Sequence, residues 1–329
     1  MAYRSSSDPL PVTILTGYLG AGKTTLLNEI LTGDHGRRIA VIQNEFGEIG
    51  IDHDLVVNIE ENVYTMTNGC ICCTVRDDMV EVLEELLERG GGLDHIVIET
   101  TGIAEPGGVV MTFLTHPDAG EAFLLDGVVT VVDAVNLPRQ LDHGSEARAQ
   151  IAYADAILLN KTDLVDAVAL DAVEALVGSI NPTAAISRTT FARSDIYALL
   201  DIGGFDPARI TLGPSLSGRD HHHHAHADAI GSISLRADAP LDFDRFERWT
   251  AGLIEERHAD IYRMKGILNV AGSDRRLIFH AVHALSSWQY GRPWEAERRE
   301  SRLVIIGRGL DGEALERGFA GCRASSDGG

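Results

Sequence analysis

Short apolar runs and longer mixed segments alternate along the first 200 residues. The β-rich runs 12–15, 38–43, 62–66, 95–99, 127–133, 156–160 and 185–188 predict strands, and the segments 24–31, 76–89, 109–114 and 165–180 predict helices. In 95–99, 127–133 and 156–160 the apolar run is continuous, as expected of strands covered on both faces. Residues 10–200 therefore read as an α/β unit, one open parallel sheet with helices on both faces.

The pattern breaks over 201–228, where Gly203, Gly204, Pro207, Pro214 and Ser215 lead into Asp220 and the run His221, His222, His223, His224 and His226. This is a linker with a compositional bias. Beyond it a strand over 230–235 precedes a helix over 243–257, in which Phe243, Phe246, Trp249 and Leu253 recur at three- and four-residue spacing. That stripe predicts a core-facing side, not a ligand box. Strands over 261–270, 277–290 and 303–306 and a helix over 311–322 complete a smaller α+β domain. The expected division is 1–200, a His-rich linker 201–228, a C-terminal domain 229–323 and a tail 324–329.

A length of 329 residues agrees with two domains. No apolar run approaches the ~20 residues of a membrane span, and the N-terminus has no basic region followed by an apolar stretch. The chain thus reads as cytoplasmic, with no membrane partner. A net charge of −21 repels a phosphate backbone, which argues against nucleic acid and raises the local concentration of cations.

The first chemical motif is Gly17-Tyr-Leu-Gly20-Ala21-Gly22-Lys23-Thr24-Thr25, set between a strand and a helix. Glycines let a loop backbone approach phosphate oxygens, and the following helix N-terminus directs N–H groups at them. Lys23 would reach the β/γ-phosphates and the Thr24 hydroxyl would ligate Mg²⁺, so both belong with catalysis. A chance match in a chain with 34 glycines is disfavoured by the correct context on both sides.

Asn160-Lys161-Thr-Asp163 ends the run 156–160. A carboxylate here accepts from both N1–H and the 2-amino group of guanine, neither of which adenine offers. Two such bonds to a charged group, about 1.5–3 kcal/mol each, select GTP over ATP by a hundredfold or more. The Lys161 stem can cover the base and Asn160 can tie the loop to the phosphate loop.

Two acidic residues end later strands, Glu99 before Thr-Thr-Gly102 and Asp133 before Ala134. Only Glu99 has glycine three residues on, so Glu99 is assigned to the magnesium shell and Gly102 to sensing the γ-phosphate, while Asp133 is expected to cap the segment after it. No glutamine or arginine finger is legible, so intrinsic hydrolysis is expected to be slow. Residues 44–52, with Glu45, suit either a segment that responds to the γ-phosphate or a plain solvated loop.

Three of the four cysteines, Cys70, Cys72 and Cys73, fall within four residues. Adjacent Cys72 and Cys73 pair only with strain, so the turn suits Zn²⁺, with Co²⁺, Ni²⁺ or Fe²⁺ by availability; buried inert cysteines are the alternative. Glu45 and His116 are candidates for a fourth ligand, and an open position suits handing a metal on. The histidine run reads as a weak metal collector or an uncommitted linker.

Together with Asn44-Glu-Phe-Gly-Glu48 and Gly69-Cys-Ile-Cys-Cys73, these motifs resemble the CobW-type P-loop GTPases, a family related to the GTPases that mature urease, hydrogenase and cobalamin enzymes. Arg-Met-Lys265-Gly266-Ile-Leu and Ser-Arg-Leu-Val-Ile-Ile-Gly307 look like the family's C-terminal module. The resemblance implies a GTP-dependent metallochaperone: 17–25 on phosphates and Mg²⁺, 160–163 on guanine, Cys70, Cys72 and Cys73 on cargo for a client metalloprotein. Some close relatives carry glutamate where this chain has Gln43; if it ligates metal in them, a ligand is missing here. Three alternatives stay open: a metal store with GTP as a structural ligand, a GTPase assisting metallocofactor assembly, and an ATP-dependent kinase. A homodimer also stays open.

Overall fold

Hydrogen bonding joins the apolar runs of the first unit into one sheet. The computed structural model describes residues 9–44, 63–66, 79, 83–86, 92–116, 122–205 and 229–324. The strands are β1 (Leu10–Thr16), β2 (Ile39–Asn44), β3 (Val63–Met66), β4 (His95–Glu99), β5 (Phe123–Asp133), β6 (Ala156–Asn160) and β7 (Ala185–Arg188). They lie in the order β3-β2-β4-β1-β5-β6-β7, with every pair parallel. The chain runs outward from central β1 through β2 and β3, returns to β4, then crosses to β5 on the other side. Open parallel sheets bind ligands beyond the carboxyl ends of their strands at such a reversal. β4 is buried at every position and β1 and β6 at all but one, which explains why their apolar runs do not alternate.

Helices α1 (Lys23–Thr32), α2 (Gly107–Thr115), α3 (Leu137–His143), α4 (Glu146–Tyr153), α5 (Ala167–Ile180) and α6 (Ile196–Leu200) accompany the sheet. The hydrophobic pattern does not reveal α3, α4 or α6. In α4 the reason is burial: Ala147, Ala149, Gln150, Ile151, Ala152 and Tyr153 are inside, and the half-buried Glu146 and Arg148 are too few to produce a period. α3 opens on a proline and reads as a turn. Of the expected helix 76–89, Met79 and 83–86 are helical, and the rest lies outside the described residues, as does the linker over 206–228.

The chain divides into two compact units, Met1–Glu174 with Ala185–Gly203, and Ala175–Ala184 with Gly204–Gly329. In the second, β8 (Ile230–Ala237), α7 (Phe243–Arg257), β9 (Ile261–Asn269), β10 (Arg275–Val282), β11 (Leu285–Pro293), β12 (Ser301–Arg308) and α8 (Gly312–Gly321) form an antiparallel sheet, order β11-β10-β9-β12-β8, with two helices. Asp242 and Asp311 cap the helices by accepting from Arg245 N–H (2.9 Å) and Ala314 N–H (3.0 Å). The aromatic stripe faces the core: Phe246 is buried edge-on to Phe279 (5.1 Å between centroids) and Phe319 (6.4 Å), with Phe243, Trp249 and Leu253 packed around it. The expected single strand over 277–290 is instead the hairpin β10–β11. Its two-residue turn puts His283 at φ +49°, and neither His283 nor Ala284 is a residue that signals such a turn.

A polar chain crosses the inner half of the first sheet. His95 on β4 donates from Nε2 to Thr13 Oγ1 (2.7 Å), which donates to Asp126 Oδ2 (3.3 Å) on β5. Asp126 also accepts the N–H groups of Ile202 (3.1 Å) and Gly203 (2.9 Å). With Thr13 committed as donor to Asp126, His95 is the Nε2–H tautomer, and a proton on its buried Nδ1 would find no acceptor. Burial first, and the charge of Arg37 second, depress His95 from 6.5 to about 3. The unfolded chain takes up this proton near 6.5, so the contribution of neutral His95 is present above that pH and fades towards 3, by about 1.4 kcal/mol per unit. Asp126, raised by burial against its hydrogen bonds, acts in the opposite sense above 3.8. Denaturant unfolding at pH values from about 4 to 7 should therefore show an acid-side loss of stability that His95→Asn removes. Parallel pH slopes in the two proteins would contradict this account.

Candidate functional site

The strand register aligns several carboxyl ends in one row. Leu15 and Gln43 both stand beside Glu99, Thr16 beside Thr130, and Asp133 beside Asn160. The loops after β1, β4 and β6 carry the sequence-predicted groups.

After β1, Gly17 and Gly22 adopt φ of +146° and +111°. A Cβ on Gly17 would lie 2.3 Å from the Val131 carbonyl oxygen, and one on Gly22 would lie 2.4 Å from Asn160 Nδ2. Contact as well as conformation therefore demands glycine. The Ala21 N–H donates to Tyr18 O (3.1 Å), closing the loop around Gly20. Gly22 is the N-cap of α1 and no side chain caps the helix, so none competes for the first-turn N–H groups. This arrangement receives phosphate oxygens. Buried Lys23 donates its ammonium to Gly17 O (2.9 Å) across the loop, with Thr24 half-buried and Thr25 exposed behind it.

The end of β6 is bonded directly to this loop. Buried Asn160 donates from Nδ2 to Ala21 O and accepts the Ala192 N–H at Oδ1, both at 2.9 Å. Lys161, at φ +61°, donates to Gly20 O and to Asp133 Oδ2, both at 2.7 Å. Asp163 sits exposed on the 3₁₀ turn Thr162–Leu164. Asp133 caps the turn after β5, accepting at Oδ1 from the N–H groups of Val135 (2.9 Å) and Asn136 (3.1 Å), and also anchors Lys161. Burial would raise the Asp133 carboxyl, but the bonds from Lys161 and Asn136 outweigh it and hold the group below the usual carboxylate range.

The sequence reading missed the turn after β7. Thr162 donates from its N–H (3.3 Å) and its hydroxyl (3.0 Å) to Thr189 O, and Ala192 completes the Asn160 bond, so this turn joins the same assembly. Phe191 and Ala192 take φ of +54° and +55° without a glycine or asparagine to mark them, which removes the usual signal.

On the other side of β1, Glu99 is buried and accepts from Gln43 Nε2 at 2.9 Å. The Thr100 hydroxyl donates to Thr16 Oγ1 (2.8 Å) and its N–H to Leu15 O (2.9 Å), which holds this strand end to β1. Gly102 packs against the phosphate loop: a Cβ there would lie 2.5 Å from Leu19 Cδ2 and 2.9 Å from Leu19 N. The fold thus brings Lys23, Thr24, Glu99, Gly102, Asn160, Lys161 and Asp163 to one edge of one sheet.

The expected cargo ligands Cys70, Cys72, Cys73 and Glu45 lie outside the described residues, as do His221, His222, His223, His224 and His226. His116 is half-buried at the end of α2, where its N–H donates to Thr112 O (3.0 Å). Among the described residues no group of three His, Cys, Asp or Glu could hold a metal. The fourth cysteine, Cys322, is buried in the second unit with its thiol raised by burial to about 11, so it offers no thiolate at neutral pH. No described helix is long and apolar enough to cross a membrane.

Comparison with known proteins agrees with this geometry. Residues 11–188 match the family model for the CobW/HypB/UreG nucleotide-binding domain, and 230–323 match that for the cobalamin synthesis protein cobW C-terminal domain. The chain is 38% identical over 320 residues to the zinc chaperone YjiA of Escherichia coli, covering 96% of this chain and 99% of the relative. It is 36% identical over 301 residues to the zinc-regulated GTPase metalloprotein activator 1 of Schizosaccharomyces pombe, covering 80% and 73%. The crystal structure of Zn(II)-bound YjiA GTPase from E. coli superposes with a TM-score of 0.80 at 34% identity, over 96% of this chain and all of that one.

Proposed function

This chain belongs to the CobW/HypB/UreG family, and from that premise we propose that it is a GTP-hydrolysing metallochaperone that takes up zinc at Cys70, Cys72 and Cys73 and delivers it to a client protein in the cytoplasm. The observation that carries the nucleotide half is the bonding of Asn160 and Lys161 to Ala21 O and Gly20 O, which ties a guanine-type loop to a phosphate loop. Zinc as cargo is supported by the relatives named above and by the thiolate chemistry of the cysteine turn.

In this reading the N–H groups of the 17–25 loop and the first turn of α1 hold the phosphates, and Lys23 balances charge beside the β- and γ-oxygens. Asp163 selects guanine, and Gly102 registers the γ-phosphate. The Thr24 hydroxyl and the Glu99 carboxylate are hard oxygen donors that fit Mg²⁺, which when bound would offset charge on the bridging phosphate oxygens. Gln43 donates to one oxygen of Glu99 and so helps to fix the orientation of that carboxylate. Glu45 and His116 are the proposed sources of a fourth zinc ligand. We read 1–200 as the GTPase domain, 201–228 as a linker whose histidines collect metal weakly, and 229–323 as the C-terminal domain.

If GTP tightens the zinc site, linkage requires zinc to tighten GTP by the same factor, about 5–150-fold on the usual scale. Anaerobic zinc titration with a non-hydrolysable GTP analogue and with GDP measures this directly. Cys72→Ser should remove both the tight site and the coupling while leaving GTP affinity without metal unchanged. Deleting residues 221–226 should remove only weak sites. Equal zinc affinities in the two nucleotide states would sink the chaperone mechanism and leave a GTPase that contains a metal site.

A further inference from the structure

The loop after Glu99 is held from behind by a residue for which the nucleotide chemistry provides no role. Gln150, on α4, is 1% exposed in the interior of the first unit. Its side-chain nitrogen donates to Gly102 O and to Ala104 O, each at 3.1 Å. An amide nitrogen has two hydrogens, so both are committed to this one loop. The helix carrying it is itself fastened to β5, because the Thr130 hydroxyl donates to Gln150 O (2.8 Å). The loop closes on itself through the Ala104 N–H bond to Thr101 O (3.0 Å), and its far side lies against Leu19 of the phosphate loop.

We propose that Gln150 is the positioning residue of the 101–104 loop: by holding the Gly102 and Ala104 carbonyls it keeps Gly102 against the phosphate loop in the conformation that reads the third phosphate. The inference rests on the reading of Gly102 as the γ-phosphate sensor. The physical argument is planarity. In a trans peptide the C=O and the following N–H point to opposite sides, and none of the described peptides is cis. Turning the Gly102 and Ala104 carbonyls towards Gln150 therefore fixes the Gly102–Ile103 and Ala104–Glu105 peptide planes, and with them the backbone that leads out of Gly102. Two bonds spaced across one short loop also fix its rotation, which a single bond would leave free. Because the donor is buried and both its hydrogens are used, any movement of the loop away from Gln150 strands two carbonyls and an amide without partners, which favours discrete loop states over gradual drift.

Gln150→Met keeps the side-chain length and helix propensity and removes both donors. The measurements are kcat for GTP and the affinities of GDP and a non-hydrolysable GTP analogue, with circular dichroism as the control on folding. A positioning role predicts that kcat falls by about tenfold and that the preference for the analogue over GDP shrinks by a similar factor, the scale of two neutral hydrogen bonds. GDP affinity should stay within about twofold, a split that general loosening of the fold would not produce. A wild-type protein that neither hydrolyses GTP nor distinguishes the analogue from GDP would overturn the sensor reading and this inference with it. A wild type that does both, matched in every value by Gln150→Met, overturns the inference alone. Should Gln150→Met fail to fold, Gln150→Glu is read by the same measurements. Burial between two carbonyl oxygens holds its carboxyl neutral, with one hydrogen to donate in place of two. One bond is lost, so a smaller fall in kcat is expected and full retention of kcat refutes the role.

Discussion

Lys23→Ala is expected to lower GTP hydrolysis by about a thousandfold, the upper scale for removing one group that stabilises transition-state charge. The lysine is buried under the phosphate loop, with its ammonium 2.9 Å from Gly17 O, so its cation is fixed at the mouth of the cradle before any phosphate arrives. A preorganised charge in a partly dry site stabilises developing negative charge more than a mobile one would, because nothing has to reorganise as the reaction proceeds. Alanine is the best helix former and Lys23 is the first residue of α1, so the fold should survive. The loss should therefore appear in single-turnover phosphate release while the circular dichroism spectrum is unchanged. Hydrolysis within tenfold of wild type would show that the cation acts on binding alone, and that another group carries the charge stabilisation.

Asp163→Asn should weaken GTP by a hundredfold or more and shift preference to xanthosine triphosphate. On the proposed reading the carboxylate would accept two hydrogen bonds from guanine, each contributing about 1.5–3 kcal/mol. An amide loses one acceptor and presents a donor to the 2-oxo group of xanthine instead. The supporting geometry is rigid around a solvent-facing carboxylate: Lys161 is pinned to Asp133 and Gly20, Thr162 to Thr189, and Asn160 to Ala21 and Ala192. Asp163 itself is exposed, so its substitution should alter stability by no more than about 0.5 kcal/mol. Competition binding with GTP, ATP and xanthosine triphosphate reads the result. If ATP competes as well as GTP against the wild type, the guanine assignment is wrong.

The strands of the first unit were legible because both faces of the parallel sheet are covered, which writes an unbroken apolar run into the chain. The runs 95–99 and 156–160 correspond to β4 and β6 residue for residue; the edge strand β7 also matches its run 185–188, although three of its four residues are exposed. Where burial covers most of a helix, as in α4, the same physics erases the signal, since too few polar positions remain to mark a face. The hairpin β10–β11 was read as one strand for a local reason: its turn uses His283 in a left-handed conformation where glycine or asparagine would have announced it.

By itself the amino-acid sequence determined the chemistry available to this protein: the phosphate loop, the guanine motif, a cluster of three cysteines and the parallel sheet that presents the first two. Each is a short contiguous stretch in which residue type and spacing carry the physics, so neighbours in the chain are enough to define it. What only the tertiary structure decided is which distant residues act as one assembly. Asp133 meets Lys161, Gln43 meets Glu99, Gln150 grips Gly102 and Ala104, and the turn at Ala192 closes on Asn160. These pairs lie on different strands and helices, and no periodicity links them. They meet because the register of a parallel sheet sets the carboxyl ends of separate strands side by side, and that register is a property of the packed sheet and not of any one segment.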